Sequence, residues 1–108
     1  HLGSMAINGQ FSSANFKHIL LNNGAHDSVG GQPTVGFKID FKNIASSFGY
    51  TIIDNESHDI SLLIKNLLDT KGPAFLELKS SLGSRKNLGR PVSTPQDNKA
   101  LFMQNFKK

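Results

Sequence analysis

Three short apolar runs, at residues 16–21, 50–53 and 74–78, limit how this 108-residue chain can fold. The first holds Phe16, His18, Ile19, Leu20 and Leu21. It is too short for a helix of its own and lacks polar alternation, so it reads as a buried strand. The other two read as strands as well. Between the runs lie segments with helical spacing. Asp40 is a good cap for a helix through Ser47, with Phe41, Ile44, Ala45 and Phe48 at i, i+3, i+4 and i+7. Gly49 then falls where a left-handed C-terminal residue belongs. Further on, Ser57 reads as a cap, with Asp59 in the first turn. Ile60, Leu63, Ile64, Leu67 and Leu68 form one apolar stripe, and Gly72-Pro73 is the stop. Strands that alternate with helices imply an α/β fold: a mostly parallel sheet in a three-layer α/β/α arrangement.

Both ends extend this frame. Residues 1–10 have a helical pattern through Leu2, Met5, Ala6 and Ile7, closed by Gly9. Thr94-Pro95-Gln96-Asp97 opens a last helix with a cap, a proline at the first helical position and an early acid. Ala100, Leu101, Met103 and Phe106 would pack back on the sheet. One modest core is what this length supports. Three strands are few for a doubly wound sheet, and the first helix lacks a start signal. The expectation is therefore that strands are missing upstream.

Charge and composition exclude several functions. Twelve Lys and Arg against eight Asp and Glu leave a net charge of +4. Much of the excess lies in residues 79–90 and in Lys107 and Lys108. That suits a solvated tail, an anion site or an acidic partner. The basic stretch has no interleaved aromatics, which argues against nucleic acid. The absence of cysteine excludes a disulfide framework and is compatible with a cytoplasmic location. No apolar run approaches the ~20 residues of a membrane span, and no signal peptide is evident.

The residues that suggest chemistry are concentrated in LLNNGAHDSVGGQPT, residues 20–34. Asn22 and Asn23 close the first strand, and ligands bind outside the carboxyl ends of strands in open α/β sheets. An asparagine carbonyl is a neutral hard-oxygen ligand suited to Mg²⁺, and nearby backbone carbonyls can serve the same ion. Ordinary turn chemistry explains the pair as well. His26, Asp27 and Ser28 are consecutive, so they cannot converge as a nucleophilic triad. Asp27 and Ser28 are also good caps for one short turn. Gly30-Gly31 permits close backbone approach to an anion, although neither a GxGxxG nor a Walker lysine is present. His18 reads as a core or edge histidine, and His58 as exposed. No histidine pair has metal-ligand spacing. Arg85 and Arg90, in SSLGSRKNLGRP, are forked cations that suit anionic oxygens or anchor a tail.

A strand that ends in Asn-Asn and a turn resembles the second half of the cofactor motif of thiamine-diphosphate-dependent enzymes. NNGAHDSVGGQPT, together with LGRPVSTPQDNKALFM, resembles the branch of that decarboxylase family that acts on phosphonopyruvate. The resemblance covers nearly the whole chain and corresponds to the C-terminal part of the diphosphate-binding domain, residues 1–108, without the upstream Gly-Asp-Gly. It implies thiamine diphosphate and Mg²⁺ as cofactors, with Asn23 and the Ala25 carbonyl as metal ligands. Asn22, Gly24, His26, Asp27 and Ser28 would lie at the cofactor, His26 being a possible proton donor. Arg85 or Arg90 would meet the substrate. The implied reaction converts 3-phosphonopyruvate to phosphonoacetaldehyde and CO₂, in a homo-oligomer. A pyrimidine-binding domain of the same or a neighbouring subunit would supply the activating glutamate, so the chain alone would be inactive or nearly so. Sulfopyruvate or another 2-keto acid is an alternative substrate. A non-catalytic subunit-association module is an alternative role.

Overall fold

A computed structural model describes residues 1–106. The elements are α1 (Leu2–Phe11), β1 (Lys17–Asn22), β2 (Ala25–His26), β3 (Gln32–Pro33), α2 (Phe41–Ser47), β4 (Thr51–Ile52), α3 (Ile60–Asp69), β5 (Ala74–Lys79) and α4 (Pro95–Gln104). Single 3-10 turns lie at Asp27–Val29 and Gly36–Lys38. The main sheet runs β1-β5-β4, with both pairings parallel. β2 and β3 form a small antiparallel ribbon beyond the end of β1.

β5 is the central strand, and its alternation builds two cores. Ala74 and Leu76 point to one side and meet Ile53 with Leu63 and Leu67 of α3. Phe75 points to the other and meets Ala45 of α2 and Tyr50, flanked by Met5 of α1 and by Phe16, Leu20 and Phe48. With α1 and α2 on one face and α3 on the other, the expected three layers are present. Asp40 caps α2 by accepting from the Asn43 N–H at 3.0 Å, and Gly49 follows with φ 93°. Thr94 and Asp97 form a reciprocal capping box at the start of α4.

Several expectations need correction. α1 runs through Gly9 instead of stopping there. Gly9 is buried, and a Cβ on it would lie 2.1 Å from the Phe48 carbonyl oxygen. It is glycine because α1 crosses the end of α2 at backbone distance. The cap of α3 is Asp59, which accepts from the N–H groups of Ser61 and Leu62, while Ser57 accepts from Asp59 itself. In α3 only Leu63 and Leu67 are fully buried, and Ile60 and Leu68 are exposed. β1 is an edge strand. Its Ile19 and Leu21 face away from α1 and α2, where α3 does not reach, and both are exposed. α4 does not pack on the sheet: Leu101, Met103 and Phe106 are exposed, and Phe102 lies against Phe106 at 5.0 Å between ring centroids. Lys107 and Lys108 lie outside the described residues.

Candidate functional site

The carboxyl end of β1 turns sharply through Asn23 and Gly24 into the small β2–β3 ribbon. Gly24 has φ 67°, and a Cβ there would lie 2.5 Å from the Phe37 ring. Glycine is therefore required twice at this position, for the left-handed backbone and for the aromatic stacked on it. Asn23 Oδ1 accepts from the Ala25 N–H at 3.1 Å, a local turn bond. The ribbon is closed by the Thr34 N–H, which donates to the Gly24 carbonyl at 2.7 Å. Ala25 pairs with Pro33 in the ribbon. Asn23 Oδ1 and the Ala25 carbonyl are thus two neutral oxygens carried by one turn just beyond the end of β1.

A cavity of about 450 Å³ opens against this turn, bounded by Asn23, Gly24, Ala25, Thr34, Phe37, Lys38 and residues 80–82. A second cavity, of about 320 Å³, shares Phe37 and Lys38 with it and reaches Lys42, Asn55, Glu77 and Lys79. Lys79 lies 5.8 Å from the Phe37 ring centroid, a cation–π approach that holds the ring over Gly24. Lys42 is engaged by Asp54 at 3.2 Å and Asn55 at 2.6 Å. The cations nearest the turn are thus lysines. Arg85 and Arg90 are exposed in the loop after β5 and border neither cavity.

The remaining expected residues fall around the turn. Asn22 is buried, and its side chain is taken up by protein partners: its Nδ2 donates to Gly36 O at 2.9 Å and Glu77 Oε1 at 2.8 Å, and its Oδ1 accepts from the Gly24 N–H at 3.1 Å. His26, Asp27 and Ser28 are exposed. The short turn expected here is the 3-10 segment Asp27–Val29, but Asp27 does not cap it. Its carboxylate accepts from the Gly83 N–H at 2.8 Å, which fastens the loop after β5 to the turn. His18 lies among Phe16, Tyr50 and Phe75 in the core, and His58 is exposed just before α3.

Sequence reading missed Phe37, Lys38, Glu77 and Lys79. The one available signal was Glu77, a charge inside the apolar run AFLELK. Among the described residues, no three His, Cys, Asp or Glu side chains gather as a metal cluster. The donor set at the turn is two neutral oxygens, which fits a hard divalent cation whose remaining ligands come from its anionic partner, water or another segment.

Among the described residues, no helix is long and apolar enough to cross a membrane. No family model matches the chain. Over 98 residues it is 37% identical to a phosphonopyruvate decarboxylase of Streptomyces viridochromogenes and 34% identical to one of Streptomyces hygroscopicus. Each match takes in 89% of this chain but only 25% and 24%, respectively, of the relative. What the chain is similar to is therefore a segment of these decarboxylases, and it spans about a quarter of their length.

Proposed function

We propose that the chain is the diphosphate-binding part of a thiamine-diphosphate- and Mg²⁺-dependent decarboxylase that acts on 3-phosphonopyruvate, releasing CO₂ and phosphonoacetaldehyde. The observation that carries this reading is the turn at the end of β1, whose Asn23, Gly24 and Ala25 line a cavity of about 450 Å³. The similarity of nearly the whole chain to phosphonopyruvate decarboxylases supports the choice of substrate. When bound, the cofactor supplies the electron sink for loss of CO₂.

In this reading, Asn23 and Ala25 would hold a divalent cation, which would offset the charge of the cofactor's diphosphate. Gly24 lets the backbone approach, with the Phe37 ring as the wall behind it. His26 and Ser28, exposed beside the turn, are placed to donate to anionic oxygens, and His26 is the group suited to passing a proton. The ligands that the turn lacks, and the pyrimidine-binding surface, come from the remainder of the enzyme or from a neighbouring subunit.

The test is calorimetric titration of Mg²⁺ with thiamine diphosphate into the complete decarboxylase, repeated on Asn23→Ala. We expect the substitution to weaken binding by about tenfold or more, as loss of metal-site residues does. Equal binding by both proteins would remove the turn from the metal site. In the complete decarboxylase, turnover of phosphonopyruvate in preference to sulfopyruvate identifies the keto acid.

A second reading, a subunit-association module, draws on the exposed apolar side chains of β1 and α4. Gel filtration that finds association without any cofactor binding would favour it.

A further inference from the structure

The turn that carries Asn23 and Ala25 is not shaped by its own local bonds alone. Behind it lies a buried pair, Asn22 on β1 and Glu77 on β5, 7% and 6% exposed. In the parallel register, Asn22 lies opposite Lys79 and Glu77 opposite Leu20, so the two are diagonal neighbours on one face of the sheet. Glu77 Oε1 accepts from Asn22 Nδ2 at 2.8 Å, and the second proton of that amide goes to Gly36 O at 2.9 Å. Asn22 Oδ1 then accepts from the Gly24 N–H at 3.1 Å. One side chain thus ties together β5, the Gly36–Lys38 turn and the residue between the two candidate ligands.

The chemistry of the pair fixes its direction. A carboxylate only accepts hydrogen bonds, whereas an amide has one accepting and one donating end. Facing Glu77, Asn22 must present its NH₂, and this turns Oδ1 toward Gly24. The flipped amide would set oxygen against carboxylate and deprive Gly24 of its acceptor. Asn55 Nδ2 donates to the Glu77 carbonyl at 3.2 Å and adds a hold on the same residue. A buried carboxylate with a neutral partner is costly, and an apolar residue would suit the strand better for stability alone.

We infer that Glu77 is a positioning residue: it orients Asn22, which in turn sets the Asn23–Ala25 backbone for its ligand. The inference rests on reading that turn as the cation–diphosphate site. It is tested on this chain with Glu77→Leu and Glu77→Gln. Amide hydrogen exchange at Gly24 and Ala25 is compared with exchange at Ala74 and Leu76 in β5.

We expect Glu77→Leu to speed exchange at Gly24 by about tenfold, the scale of leaving a buried polar group unpaired. Exchange in β5 should stay slow, and Glu77→Gln, which keeps a carbonyl acceptor, should restore Gly24. Unchanged exchange at Gly24, or equal acceleration everywhere, would overturn the inference. If Glu77→Leu does not fold, Glu77→Gln still decides through its side-chain amide. A slowly exchanging Asn22 NH₂ retained in that variant supports the clamp, and its loss there refutes it. Mg²⁺ with thiamine diphosphate is then titrated into the complete decarboxylase with and without the same substitutions. Equal affinity despite a loosened turn overturns the positioning role while leaving the functional reading intact. Absence of binding even to the unsubstituted complete enzyme, with the exchange pattern as expected, removes the functional reading and leaves Glu77 as the organiser of the turn.

Discussion

His18 shows how a single side chain sets a condition on the fold. Its ring meets Phe75 at 5.3 Å, Tyr50 at 5.8 Å and Phe16 at 6.3 Å between centroids, all edge-on. Its Nδ1 is buried without a hydrogen-bond partner. Burial pushes the imidazole below its ordinary pKa of 6.5, because the charged form has lost water and gained nothing. The unfolded chain therefore takes up this proton more readily than the folded one. The stability that follows is complete above about pH 6.5 and is lost as the pH falls toward the depressed folded value. Urea midpoints should hold from pH 8 to 7 and decline from pH 6.5 to 5, and His18→Phe should flatten that decline. An unaltered slope in the variant would assign the effect to other groups. His18 was legible as a core or edge histidine because it sits within an apolar run. Glu77 stood out as a charge in an apolar run, but its role was not legible, because its partner Asn22 is 55 residues away and a lone charge in a strand names no partner.

At the scale of the element, local chemistry and tertiary fit part ways. Both Ser57 and Asp59 have side chains that cap helices, and sequence favoured the first. In the fold, Asp59 accepts from Ser61 at 2.9 Å and Leu62 at 3.2 Å, while Ser57 only steadies Asp59 at 3.1 Å. Asp59→Ala should therefore cost about 1 kcal/mol, the scale of a lost cap, and Ser57→Ala a few tenths. Denaturant midpoints measure both, and the reverse order would return the cap to Ser57. The periodicity that located α2, α3 and β5 was legible because each buries a face built from its own spacing. The depth of burial was not, because it depends on neighbours. Leu63 and Leu67 pack on Ala74 and Leu76 of β5, whereas Ile60 and Leu68, on the same stripe, are exposed. Gly9 failed for the same reason: its need to lack a side chain comes from the Phe48 carbonyl, 39 positions on.

At the scale of the whole molecule, the chain is less compact than its length requires. Its Cα radius of gyration is 16.6 Å, against about 13 Å for a compact domain of this size. The excess arises beyond β5, where every described residue from Ser80 onward is exposed and α4 buries none of its side chains. The cap of α4 is complete, so its helical form is locally encoded, yet its apolar Leu101, Phe102, Met103 and Phe106 have no surface to cover within the chain. The core is instead closed by α1, α2 and α3 around β5. It follows that the stability of the body is independent of α4. Removing residues 94–108 should leave the urea midpoint of the remaining chain within about 0.5 kcal/mol of the original, as expected of changes that touch no buried feature. Limited proteolysis should cut first in residues 81–93, where the backbone is exposed and irregular. A lower midpoint after truncation would mean that α4 covers part of the body in solution. The exposed side of β1, with Ile19 and Leu21, would then be the first surface to examine.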